Sequence, residues 1–148
     1  MAPAPWKKRN VRVISKGQRQ VSSGKLQANQ QRAIEMDFEK LLVWQRAKAL
    51  AVSLYMELAN CGDVAFKSQI TRSGLSVPSN IAEGMERFTN TEKRRFLSIA
   101  KASCGELRTQ IMIGGEIGYI PALLADRWIN ETREISKMLS GLINRISD

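Results

Sequence analysis

Three basic residues, Arg94, Lys101 and Arg108, recur at intervals of seven in this 148-residue chain. On a helix that spacing sets them in a row along one flank, ~10 Å apart at each step. Arg87, Lys93 and Arg95 stand near the same end of the row. Cations in such a row can follow a phosphate backbone, each neutralised phosphate releasing counterions without reporting any base. The competing reading is a solvated helix flank, balanced by Glu106 and other acids nearby. The sequence holds no aromatic-rich platform and no groove-reading motif, so base specificity is not expected.

Other chemistries are limited by what the chain lacks. It has no histidine, which removes Ser-His-Asp and Cys-His catalysis, imidazole metal sites and the Glu-x-x-His pairs of di-metal bundles. Cys61 and Cys104 lie 43 residues apart and form no CxxC pair; as free thiols they suit a reducing compartment. Gly114-Gly115 lacks the Lys-Ser/Thr of a phosphate loop. Ser79, Asn80 and Glu83 gather around Pro78. A proline removes a backbone donor, so polar side chains beside it re-satisfy the helix, and Glu83 can also pair with Arg87 four residues on. No nucleophile, base or ligand set stands with them. The chain therefore reads as non-enzymatic, with no catalytic residue, metal or cofactor.

The formal charge of +9 is unevenly placed. Residues 1–35 carry eight basic groups against Glu35, a net +7, whereas residues 36–148 carry 15 basic and 13 acidic groups, a net +2. The first segment also holds Pro3, Pro5, Gly17 and Gly24, with sparse apolar residues. It cannot bury enough to offset its ordering entropy, which predicts a disordered basic arm. The change of composition falls at Met36, where translation from Met36 would place it, with the arm as upstream sequence. The arm is also acid-poor, as a mitochondrial transit peptide is, but shows no amphipathic helix. It has no apolar core of a secretory signal, and no run in the chain nears the ~18 apolar residues of a membrane span.

Residues 36–148 suffice for one domain and one core. Strand alternation is absent, and apolar residues recur at helical spacing four times. The first helix is predicted over 38–59, with Val43, Trp44, Ala47, Leu50, Ala51, Leu54 and Leu58 inward. The second spans 64–84 through Phe66, Ile70, Gly74, Val77 and Ile81, with a kink or break expected near Val77 at Pro78. The third opens on a capping box, Thr89 to Glu92, presents Phe96, Leu97, Ala100, Ser103, Cys104, Leu107 and Ile111, and fades at Gly114-Gly115. The fourth starts with Pro121 in its first turn and carries Leu124, Trp128, Ile135, Leu139, Leu142 and Ile146; Glu131 is the acid nearest its core face. Short connections between four amphipathic helices predict an all-α, antiparallel up-down four-helix bundle.

The first helix has a second apolar stripe. Leu42, Ala49 and Met56 are seven apart, with Val52 between, as in a coiled-coil seam. A bundle has one interior, so this stripe predicts self-association through those four residues. Ile99 and Ile113 also fall outside the main stripe of the third helix.

Several stretches then stand out together: Phe38-Glu39-Lys40-Leu41-Leu42-Val43-Trp44-Gln45-Arg46-Ala47, Ser76-Val77-Pro78-Ser79-Asn80-Ile81-Ala82-Glu83-Gly84, Arg95 to Ser103, and Gly105-Glu106-Leu107. With them, residues 37–146 resemble the four-helix-bundle family of proteins encoded in intervening sequences of bacterial 23S ribosomal RNA genes, to which the accessory protein of diversity-generating retroelements is similar. The resemblance implies a bacterial, cytoplasmic protomer in a ring-like homopentamer, and, through the retroelement relative, contact with nucleic acid and a protein partner. It gives Trp44, Pro78, Ser79, Asn80, Glu83 and Gly84 as family-motif positions of structural role. The chain departs from the pattern at Thr71, where a second basic residue is common, and in the loop from Cys61 to Lys67, which is short and lacks Phe-Pro. The expected activity is that of a scaffold with weak, nonspecific RNA or DNA contact; the alternative is a protein–protein adaptor with no nucleic-acid function.

Overall fold

The computed structural model describes residues 37–146 together with Gly24 and Lys25, and the chain divides into two units, 1–35 and 36–148. Apart from that residue pair, the expected disorder of the arm falls outside the described residues. Among the described residues, the second unit comprises a 3-10 turn, Phe38–Lys40, and four helices: α1 Leu42–Glu57, α2 Val64–Met85, α3 Asn90–Glu116 and α4 Ala122–Arg145. Each helix packs on the next in sequence and α1 returns to α4. The connections have four to six residues, so successive helices run antiparallel. The expected all-α bundle is the observed fold.

Local chemistry sets the ends, and two differ from expectation. The first helix does not begin at Phe38. Asp37 accepts the Glu39 N–H at 3.1 Å and caps a short 3-10 turn; Leu41 is then extended, and α1 starts at Leu42. Pro121 lies outside the first turn of α4, as its extended cap residue, with its carbonyl accepting Ala125 N–H at 2.9 Å. Asp63 caps α2 by accepting the Phe66 N–H at 2.9 Å. Thr89 caps α3 as its sequence predicts, with Oγ1 3.2 Å from the Glu92 nitrogen and donating to the Glu92 carboxylate at 2.9 Å.

Pro78 does not break α2, which is one helix from Val64 to Met85. Its missing N–H leaves the Gly74 carbonyl without its usual partner. The neighbouring carbonyls gain side-chain donors: Ser79 Oγ donates to Leu75 O at 2.8 Å and Asn80 Nδ2 to Ser76 O at 2.8 Å. These bonds fall on the carbonyls beside Gly74 and not on its own, so they do not replace the bond lost there.

The core follows the predicted stripes. Leu54, Ile70, Ile81, Leu97, Ala100, Ile135 and Leu139 are each sealed from solvent. Trp44 is only half-buried, edge-on to Phe38 with centroids 5.2 Å apart, whereas Trp128 is fully in the core. Thr132 and Lys93 are buried too, which hydropathy does not suggest. At Gly84, α2 and α3 touch: an added Cβ would lie 2.9 Å from Phe96 Cβ and 3.3 Å from the Lys93 carbonyl. The second neighbour is backbone and cannot turn aside. Gly84→Ala gains about 1 kcal/mol of helix propensity but forces the helices apart, at a cost of about 1–3 kcal/mol. The expected net effect in urea denaturation is a loss of about 1 kcal/mol with unchanged helicity; a more stable variant would show that the α2–α3 contact yields freely.

Candidate nucleic-acid interface

The structure separates the six basic residues of the sequence pattern. Arg108 is half-buried and turned onto α4: its Nε donates to Thr132 Oγ1 at 3.1 Å and its Nη2 to Ser136 Oγ at 3.0 Å. The Thr132 hydroxyl in turn donates to Ile129 O at 2.7 Å. Cys104, one turn before Arg108, sits against the same residue, with Sγ 3.2 Å from Thr132 O, and burial pushes its thiol pKa up. Lys93 is 4% exposed, at the close contact with Gly84. Arg87 pairs with Glu83 and its guanidinium lies 4.5 Å from the Phe96 ring centroid. Three residues of the six are left exposed, Arg94, Arg95 and Lys101. The row of seven-residue steps is therefore real on α3, but its last member works inside the fold.

The bonds from Arg108 show which side of α4 faces α3. At about 100° per residue, Arg133 lies nearer the side of Ser136 than Lys137 does; both are exposed, and Lys137 lines the α1–α4 cleft. Arg133 Nη1 donates to Asn130 Oδ1 at 3.2 Å. Lys137 donates to Glu134 Oε1 at 2.8 Å, which holds the Glu134 carboxyl below the usual carboxylate range. The row on α3 thus presents Arg94 and Lys101 to solvent, while Lys137 borders the cleft between α1 and α4. Such an arrangement can contact successive phosphates. It offers no paired donor and acceptor for reading a base edge.

The second stripe of α1 points outward. Leu42 is 57% exposed, Val52 49% and Met56 72%, and Ala49 is exposed as well. α1 meets α4 far less closely than the other neighbours meet one another. Arg46 spans that seam with two 2.7 Å bonds to Glu131, Nε to Oε1 and Nη2 to Oε2, both groups about one-third exposed. Those bonds raise the Arg46 pKa further, against the opposing effect of burial. On either side the seam opens, into a cleft of about 490 Å³ lined by Leu41, Leu42, Met138 and Leu142 and one of about 270 Å³ beside Ala49 and Trp128.

The remaining motif positions are structural neighbours of the core. Pro78 and Gly84 are buried, and Asn80 Nδ2 also donates to Ser76 Oγ at 2.9 Å, which lies 2.9 Å from Ser103 Oγ of α3. Thr71, where a basic residue is common in the pattern, is buried and donates to Lys67 O at 2.6 Å. Among the described residues no group of three or more His, Cys, Asp or Glu could hold a metal ion, and no helix is long and apolar enough to cross a membrane.

A family model described as 23S rRNA-intervening sequence protein matches residues 39–141. Among solved structures, a protein of unknown function from the S23 ribosomal protein family of Bacteroides thetaiotaomicron VPI-5482 is 25% identical, with a TM-score of 0.65 over 69% of this chain and 98% of that one. The comparison with curated proteins finds no match.

The geometry separates the cations that hold α3 to α4 from those exposed on the surface. Arg108→Ala removes two interhelical bonds and should lower stability by about 1–2 kcal/mol in urea denaturation. Lys101→Ala, at an exposed position of the same row, should stay within about 0.5 kcal/mol of the parent. Equal and small effects would return Arg108 to the solvated flank.

Proposed function

The chain belongs to the 23S rRNA-intervening sequence protein family, and from that membership we propose that it is a non-enzymatic, cytoplasmic, homo-oligomeric scaffold that makes weak, sequence-independent contact with RNA or DNA. The observation that carries the nucleic-acid reading is the surface of α3, where Arg94, Arg95 and Lys101 are exposed. The assembly is the ring-like pentamer that the family resemblance implies, and the outward stripe Leu42, Ala49, Val52 and Met56 supports a contact between copies. A few cations on one protomer bind phosphate weakly, and repetition around a ring raises the avidity without any new contact. The basic arm, where present, adds a further sequence-independent charge to each copy.

A protein–protein adaptor without nucleic-acid function is the second reading. It draws on the opposite kind of surface: Met56, Val64, Ile117 and Leu123 are half-exposed or more around the α1–α2 and α3–α4 connections. Tyr119 ties those two connections together by donating to Asp63 Oδ2 at 3.1 Å.

Fluorescence anisotropy with a generic RNA over a salt series separates the readings. Affinity should fall steeply with salt, and Lys101→Ala should make the log–log slope shallower by about 1. An absence of binding at low salt leaves the adaptor. Assembly is tested by sedimentation: the parent should be oligomeric at micromolar concentration, and Val52→Glu with Met56→Glu should give monomers that keep their helicity. A monomeric parent would refute the scaffold.

A further inference from the structure

Phe88 is 100% exposed, in the four-residue connection between α2 and α3. It directly precedes the cap residue Thr89. An apolar residue there ordinarily packs on the fourth residue of the helix, as a hydrophobic staple. That fourth residue is Lys93, itself buried, and the fully exposed Phe88 ring does not pack on it. The ring therefore has no part in holding the connection.

The connection is nonetheless well fixed. Glu86 N–H donates to Ala82 O at 3.2 Å and Arg87 N–H to Gly84 O at 3.1 Å. Thr89 closes the next helix, and Arg87 is held between Glu83 and the Phe96 ring. Little backbone conformational entropy remains to be lost when the Phe88 ring meets a ligand, which leaves the ordering of the exposed ring itself as the cost. Exposed Arg94 and Arg95 follow in the early turns of α3, at its positive dipole end. Of the acids at this tip, Glu83 is engaged by Arg87 and Glu92 by the Thr89 hydroxyl, while Glu86 is exposed.

We propose that Phe88 stacks on an unpaired base of single-stranded RNA or DNA while Arg94 and Arg95 contact the flanking phosphates. This rests on the nucleic-acid reading above and narrows it to single strands. A duplex keeps its bases stacked on one another and offers the ring no free face. Every base has such a face, so the contact is tolerant of sequence. It needs only one aromatic per copy, and an oligomer repeats it.

The test uses the full chain and two fluorescent probes of about 20 residues, a uridine oligoribonucleotide and a duplex RNA, over a salt series. Phe88→Ala should weaken uridine binding roughly 5- to 150-fold and leave duplex binding unchanged. Phe88→Trp should retain uridine binding and gain emission, relative to the parent, that the oligonucleotide quenches. Parent binding to both probes with no selective loss in Phe88→Ala overturns the stacking and leaves the phosphate contact standing. Parent binding to neither probe overturns the nucleic-acid reading and the stacking with it. A change in sedimentation caused by Phe88→Ala assigns the ring to a contact between copies and also overturns the proposal.

Discussion

A bundle of four helices encloses a single interior, and each helix can turn only one stripe of its surface toward it. Everything else in this structure follows from that limit. The interior is filled by one contiguous set of apolar side chains, and Gly84 lets α2 approach α3 closely enough to seal it. The packing is uneven around the ring of helices, closest at α2–α3 and loosest at α1–α4. At the loose seam, the Arg46–Glu131 bond performs what apolar contact does elsewhere. Both groups keep about one-third of their exposure, so neither bears the full desolvation of a buried ion, and solvent also weakens their attraction. The geometry is bidentate, which fixes the register of α1 along α4 more than it adds bulk stability.

The same limit explains why α1 is the helix with an apolar surface left over. Its inward stripe is used up by Val43, Ala47, Leu50 and Leu54. Val52 and Met56 lie away from that stripe and are exposed, and Leu42 is exposed at the edge of the α1–α4 cleft. A helix that is apolar on two sides, and that meets one neighbour loosely, is poorly accounted for as a solvated outer wall. That surface is the one the proposed self-association would cover.

Most of the fold was legible because it depends on short-range pattern. The helical period of three and four placed all four stripes, and Thr89-Asn90-Thr91-Glu92 announced its cap from residue types alone. At Pro78 residue type alone left a kink or a break; α2 runs as one helix from Val64 to Met85, with Ser79 and Asn80 donating to the carbonyls beside the one that proline leaves without its usual partner. The candidate site was legible only in part, for a different reason. The heptad spacing of Arg94, Lys101 and Arg108 is a property of α3, but what each side chain meets is a property of the α3–α4 contact. That contact turned Arg108 onto Thr132 and Ser136 and left Arg94 and Lys101 exposed. Arg46 and Glu131 are 85 positions apart, and no local signal joins them. Phe88 escaped notice in the sequence because exposure, not residue type, is what distinguishes it.

The proposed nucleic-acid contact and the proposed assembly are linked through charge. Residues 36–148 are only +2, and several of their cations are committed inside the fold: Arg46 to Glu131, Arg87 to Glu83 and Arg108 to Thr132 and Ser136. One protomer therefore offers a phosphate backbone a short line of contacts, whose affinity would fall quickly at physiological salt. Two routes raise it. The arm adds +7 to each copy, a term that is long-range and equally sensitive to salt. Repetition through the α1 stripe instead multiplies local contacts at high effective concentration. An aromatic tip such as Phe88 belongs with the second route, since stacking is short-ranged and survives salt that screens the arm. A scaffold built this way would hold single strands by many weak, geometrically repeated contacts rather than by net charge.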